Sequence, residues 1–424
     1  MEKKFGTEFG HNLTPDPARF DQTKGREIAG FEPKNEHFGV LKESDDYQIV
    51  EENNLIKSVK PLHDFFLFVN HSRGTTDRTV YPPHWRTITT EDIDTSFEYS
   101  DKDASIKNIH YYCVNTKGTG FLKPTAEGIL LDDYATWART KERSNIDFDN
   151  EILGMCTKND CLGKKGEIIN ESKHLTKEGL RCEMMWAIAK LKKIFYQGRE
   201  TTIEELRNKN VIPKRLDWQP YMAVRLLRTN HRIEQCVKAD HKQDLFENAF
   251  KIFNRETLDD NLPFPILEIG NAQHEKIFFQ EFFSRMGANM AVLLNLGYSH
   301  SHMHSSNVTM AAEIVDIGTI SKNDPDFYQG IRRQHIKDMR DISYSLKMLL
   351  NGASSCKLSF GNVRDLQKTF FSSFDSVSDR DRQRENKTDY SIAREWMGKI
   401  FEKVIVRGGH LPSLRNNAIE DWVF

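Results

Sequence analysis

The feature that most constrains this chain is the junction spanning residues 276 to 318, "KIFFQEFFSRMGANMAVLLNLGY" followed by "SHSHMHSSNVTMAAEIVDIG". The first part reads as an apolar helix. A polar loop with three alternating histidines and an isolated asparagine comes next, and a short β-branched strand then ends in Asp316-Ile317-Gly318. Helix, loop and strand in that order are how many phosphoryl-handling enzymes present metal ligands.

The rest of the chain has the material to support such a junction. At 424 residues, 38% hydrophobic and 11% aromatic, it can fill two or three packed units. Lys and Arg total 60 against 62 acidic residues, so bulk electrostatics argue against a nucleic-acid partner, and any phosphate chemistry must be local. The opening "MEKKFGTEFG" lacks a secretory apolar stretch, and no run approaches the ~18 apolar residues that span a bilayer. The expectation is a cytoplasmic protein with no membrane partner. Six scattered cysteines, of which only "CTKNDC" forms a close pair, do not make a zinc or disulfide framework.

Periodicity divides the chain. Short β-leaning pieces such as "DFFLFVNH" and "RTVYPP" occupy the first hundred residues, and "IHYYCVNTKGTG" reads as a strand with Lys117 near its end. Residues near 124–175 are polar and look like an insertion, with "GKKGEI" a turn signal. In "TKEGLRCEMMWAIAKLKKIF", Leu180, Met184, Ala187, Ile188, Leu191 and Phe195 share one helical face, and Thr176 is placed to cap it, which predicts a helix. "YMAVRLLRTNHRI" is again β-leaning. Beyond about residue 236, "QDLFENAFKIF", the apolar run above and "FYQGIRRQHIKDMRDISYSLKMLL" are helical, with Asn351-Gly352 expected to end the last. The prediction is an α+β, two-lobed fold with a cleft between a β-rich lobe, 1–235, and a helical lobe, 236–424, that carries the loop 299–318.

Asn307 and Asp316 are the oxygen donors a Mg²⁺ ion would take, because that ion accepts only one or two protein ligands and fills the rest with phosphate and water. Protein kinases pair an Asn and the Asp of D-F-G in this way, and D-I-G stands in that place here.

Four further stretches make the resemblance more specific. "GYSHSHMHSSNVTMAAEIVDIG", "VNTKGTGFLKP", "KEGLRCEMMWAI" and "RLLRTNHR" resemble, in order, segments of the selenoprotein O pseudokinase family over roughly residues 105 to 350. The resemblance implies a protein-kinase-like fold that binds ATP in reversed orientation and transfers AMP to a hydroxyl of a protein or small-molecule acceptor, releasing pyrophosphate. It places Lys117 at the nucleotide-binding lysine, Glu178 at the glutamate that pairs with it, Glu183 at a second acidic position, and Arg225 and Arg232 on the terminal phosphate, with Arg228 competing for Arg225's place. Helical projection, in contrast, sets Glu183 nearer the apolar face. "FGTEFGHN" and "KGREI" stand where the family's glycine-rich pieces would be, at expanded spacing.

The departures matter as much. Ser306 occupies the position of the family's catalytic Asp, and a hydroxyl is a poor general base near neutral pH. His302, five residues before Asn307 as in the kinase H-R-D-L-x-x-x-N pattern, and His304, two before Ser306, are candidate substitutes. Alternatively an acceptor that is already ionised, a carboxylate or phosphate, needs no base. A His300-His302-His304 metal site lacks a carboxylate-rich surround. The family's terminal selenocysteine or cysteine is absent, since the chain ends "NAIEDWVF". An ATP-dependent kinase or carboxylate-activating ligase on the same scaffold, and a catalytically silent nucleotide-binding module, are the competing readings.

Overall fold

The computed structural model describes residues 45–69, 87–101, 105–118, 158–163, 166–196, 199–209, 219–238, 242–322 and 326–411, the backbone of 38–40, and isolated positions at 156, 212, 419 and 422. The pieces "FGTEFGHN", "KGREI" and "RTVYPP", and residues 124–155 of the expected insertion, lie outside them. The fold is α+β, a β-rich half followed by a helical half.

Six strands form one antiparallel sheet: β1 (Tyr47–Glu52), β2 (Ile56–Ser58), β3 (Thr87–Ser100), β4 (Ile106–Lys117), β5 (Met184–Leu191) and β6 (Tyr221–Leu227), in the order β1-β5-β6-β4-β3-β2. Its two faces serve different cores. On β6, Met222, Val224 and Leu226 join Val114, Met184, Trp186 and Tyr47 in the core of the β-rich half, whereas Tyr221 and Ala223 join the large core shared with the helices. Alternation therefore turns Arg225 toward the helical half. Paired residues of adjacent strands share a face, so Asn115, opposite Arg225, and Lys117, opposite Ala223, point the same way.

The helix expected from Thr176 is not there. Helix α1 (Ile168–Lys177) precedes it and stops at Glu178, where Gly179 takes φ +92°. The following "MMWAIAKL" is the buried strand β5. A strand covered on both faces is a continuous apolar run, and such a run fits a helical projection as well as a pleat.

In the helical half, α2 (Lys242–Asp259) and α3 (Ala272–Leu296) fall where expected. The Asn271 side chain accepts from Gln273 N and His274 N to start α3, and Gly297 at φ +67° ends it. Helix α4 (Arg333–Ser355) runs past Asn351-Gly352. Gly352 serves packing instead, because an added Cβ would lie 2.6 Å from the Cys236 side chain. Helices α5 (Val363–Val377), α6 (Arg380–Glu385) and α7 (Tyr390–Phe401) complete the half. Among the described residues no helix is long and apolar enough to cross a membrane.

The halves are joined by buried charge. Glu256 of α2 faces Arg228 Nε at 2.6 Å and Arg285 Nη1 at 2.7 Å, and also pairs with Arg181; Arg228 Nη1 is 2.8 Å from Glu313. Burial alone would raise the Glu256 carboxyl, but Arg181, Arg285 and Arg228 outweigh it and bring its pKa to about 2. A depressed carboxylate contributes stability that is complete above the ordinary 4.5 and is lost as pH falls toward 2. Glu256→Gln removes the carboxylate that Arg181, Arg228 and Arg285 share and is expected to cost about 3 kcal/mol or more, read as a lower denaturant midpoint at pH 7.

Candidate functional site

The loop 299–318 is clamped at both ends and along its length. Ser299 and Ser321 exchange backbone hydrogen bonds, and His300 N donates to Asp338 Oδ2 of α4 at 2.7 Å. The His300 ring nitrogen Nε2 lies 2.7 Å from Val315 O, so the start of the loop holds the residue before Asp316. Val315 N donates to Asn307 O at 3.0 Å, which ties the asparagine directly beside the aspartate in the backbone. Glu183 N donates to Ile314 O and Ile314 N to Arg181 O, both at 2.9 Å, and Ile233 N donates to Val308 O at 3.0 Å. The loop is thus pinned to the segment entering β5 and to the segment leaving β6. Isolated bridges of this kind, rather than a regular ladder, replace the short strand expected before Asp316.

At the meeting point Asp316 adopts the left-handed conformation, φ 57° and ψ 45°, which Asp tolerates better than most side chains. Its Oδ1 lies 3.2 Å from Lys117 Nζ and 3.3 Å from Arg225 Nη1. The same Arg225 Nη1 is 2.7 Å from Glu183 Oε2, and Arg225 Nε donates to Asn115 Oδ1 at 2.7 Å. The other Glu183 oxygen accepts from Ile317 N at 3.0 Å. Burial opposes the charge on Arg225, but Glu183 and Asp316 hold its pKa above the ordinary value.

The candidate residues therefore separate. Lys117, Arg225 and Asp316 are brought into one cluster, and Asn307 joins it through the backbone. Glu178 does not pair with Lys117; it sits at the end of α1 and its Oε2 is 2.8 Å from Arg382 Nη1 of α6. Glu183 takes the acidic position in the cluster, the residue that the helical projection set nearer the apolar face and that the motif match passed over for Glu178. Arg228 belongs to the structural network with Glu313 and Glu256. Arg232 is completely buried, and its Nε, Nη1 and Nη2 find no hydrogen-bond partner among the described residues. Burial, and next the neighbouring Arg225, bring its pKa down to about 10.

Asn307 Nδ2 donates to His302 O at 2.9 Å, which leaves its amide oxygen as the donor atom for a cation. His302 and His304 are exposed, with ring centroids 6.1 Å apart, and His304 Nδ1 is 2.5 Å from Ser306 Oγ. No group of three or more His, Cys, Asp and Glu arranged to hold a metal occurs among the described residues, so the three histidines do not form a ligand set. Two residues were missed by sequence reasoning. Asn115 carries a signal, being two positions before Lys117 on one strand face. Asp338 carries none, since its role depends on α4 packing beneath the loop.

No protein-family model matches this chain, and no curated protein matches it. Among solved structures it is similar to the crystal structure of a Toxoplasma gondii specific rhoptry antigen kinase domain, at 8% identity and a TM-score of 0.27, covering 78% of this chain and 90% of that one. An overlap that low carries no weight for the activity.

Two measurements check the site. Glu183→Ala leaves the Arg225 guanidinium and Ile317 N without their buried acceptor and is expected to cost about 3 kcal/mol or more, whereas Glu178→Ala, at a partly exposed pair, stays within about 1 kcal/mol. The reverse order in denaturant unfolding would restore the expected register. Burial lowers the His300 pKa to about 4, so its contribution to stability is complete above the ordinary 6.5 and is lost as pH falls toward 4. Burial also pushes Asp338 up to about 8, which acts in the opposite direction. The per-residue readout is therefore NMR: the His300 ring stays neutral at pH 5.5, where an exposed histidine is charged.

Proposed function

We propose that the protein is a Mg-ATP-dependent transferase on a kinase-like scaffold, and that the group it transfers is AMP, with pyrophosphate leaving. The observation that carries this reading is a cluster in which Asp316 contacts both Lys117 and Arg225, together with the fully buried Arg232 guanidinium, whose nitrogens find no hydrogen-bond acceptor among the described residues. A buried charge left unpaired costs several kcal/mol, and an anion that supplies the missing acceptors recovers it. A terminal phosphate is such an anion, and Arg offers it several donors at once.

The residues present also fit Mg²⁺. Asn307 and Asp316 are oxygen donors on segments joined by the backbone hydrogen bond from Val315 N to Asn307 O, and a two-ligand protein set suits an ion that completes its shell with phosphate and water. When bound, the ion would neutralise charge on the phosphates. Lys117 would contact the phosphates from β4, Asn115 and Glu183 hold Arg225 in place, and the clamped loop ties the backbone of Asn307 to that of Val315, the residue before Asp316. With Arg232 on the terminal phosphate, the α-phosphorus would be left for the acceptor. The acceptor, a protein or a small molecule, is identified only by its nucleophilic oxygen. A carboxylate-activating ligase uses the same step.

The test is incubation with Mg²⁺ and ATP labelled at the α or the γ position. Transfer of the α label with pyrophosphate release supports the proposal; transfer of the γ label with ADP release makes the protein a kinase. Asp316→Asn is expected to lower turnover about 100-fold or more. Arg232→Met should weaken nucleotide binding about tenfold or more while raising the unfolding midpoint of the free protein, because a buried unpaired charge is removed. Unchanged nucleotide affinity in that variant would remove Arg232 from the site.

A further inference from the structure

Ser306 was read from the sequence as a lost base, yet its surroundings suit a different role. Ser305–Asn307 form a 3₁₀ turn that starts after His304. The turn is fixed at both shoulders: Asn307 N donates to His304 O at 2.8 Å, and the Asn307 side chain donates to His302 O at 2.9 Å. Glu234 N donates to Ser305 O at 3.3 Å and anchors the turn to the segment after β6. On this fixed turn Ser306 Oγ and His304 Nδ1 stand 2.5 Å apart. With the ring proton on Nε2, the hydroxyl donates and the imidazole accepts. Unlike the buried Asn307, the two side chains reach solvent, so the hydroxyl is accessible to a ligand and to an acceptor.

A serine donating to a histidine is the arrangement that activates a hydroxyl for attack. Here it is adjacent in sequence to Asn307, the residue offered as a metal ligand. The loop that carries it also carries Asp316, with the Val315–Asn307 hydrogen bond between them.

We propose that Ser306 is a catalytic nucleophile, with His304 as its base, and that the enzyme passes through a covalent Ser306 adduct of the transferred phosphorus group. This deepens the proposed function and rests on it for the identity of the phosphorus donor, a nucleoside triphosphate. In the step, Ser306 Oγ forms a bond to phosphorus and its proton moves to His304 Nδ1. The bond from that phosphorus to the leaving oxygen breaks, and its electron pair departs with pyrophosphate if the α-phosphorus is attacked, or with ADP if the γ-phosphorus is attacked. A second nucleophile, water or the acceptor, then attacks the phosphorus, the bond to Ser306 Oγ breaks, the serine oxygen recovers the proton from His304 Nδ1, and the nucleophile's own proton, where it carries one, passes to solvent. The serine in place of the expected aspartate becomes the group that attacks rather than one that fails to accept a proton.

The experiment has two arms on the full chain. In the first, protein with Mg²⁺ and α- or γ-labelled ATP is quenched in denaturant during turnover, digested and mapped by mass spectrometry. The expected result is label on the peptide containing Ser306, absent in Ser306→Ala without moving to Ser305, and formed about 100-fold more slowly in His304→Gln. In the second arm a fluorophosphonate, a phosphorus electrophile that needs no nucleotide site, is expected to label Ser306 faster than Ser305 and to lose that preference in His304→Gln. Release of pyrophosphate or ADP without any Ser306 adduct overturns the nucleophile and leaves the proposed function standing. Where no turnover occurs, fluorophosphonate decides. Labelling of Ser306 that depends on His304 upholds the activated serine while the ATP reading falls, and equal labelling of Ser305 and Ser306 overturns it.

Discussion

The contact on which the site depends is the one Arg225 makes with three partners from three parts of the chain: Asn115 on β4, Glu183 before β5, and Asp316 in the loop from the helical half. Burying a guanidinium is costly unless its donors meet acceptors. Satisfying Arg225 therefore requires the sheet register, the entry to β5 and the left-handed turn at Asp316 to be correct together. Glu183 reinforces the demand with its second oxygen, which holds Ile317 N. Register, turn and loop become one cooperative unit.

A second buried network plays a different part. Glu256, Glu313 and the arginines 181, 228 and 285 connect α2 and α3 to the segments that flank β5 and β6. Arg181 and Glu183 are two residues apart, as are Glu313 and Val315, so the structural network and the candidate site use alternate positions of the same short segments. Arg228, three residues beyond Arg225, pairs with Glu256 and Glu313 and so belongs to this second network.

Much of this was legible in the chain. The strand ending at Lys117, helices α2, α3 and α4, and the loop carrying Asn307 and Asp316 follow from periodicity, capping and residue chemistry. What was not legible has physical reasons. The segment 184–191 is apolar on both faces of its strand, so its period cannot separate strand from helix; the preference for Glu178 over Glu183 came from the motif match, against the helical projection. Gly179, which takes a positive φ, was the overlooked stop. Gly352 was read as a stop and is instead a point of close approach to Cys236. Asp338 and Glu256 act across long sequence separations, through contacts that only the packed helices create.

The charge balance of the cluster links these points to chemistry. Lys117, Arg225 and Arg232 bring three cations, while Glu183 and Asp316 bring two carboxylates, and the surplus resides on the one guanidinium with no hydrogen-bonding acceptor. Had the cluster served stability alone, a third carboxylate or an apolar residue at position 232 would lower the energy of the free protein. A site that is incomplete without an anion stores that deficit in the free state and releases it on binding, so a polyanionic ligand gains affinity from burial the protein has already undergone. The preorganised donors then need no rearrangement when charge redistributes on phosphorus, which is the condition under which fixed dipoles and charges act most strongly on a reaction.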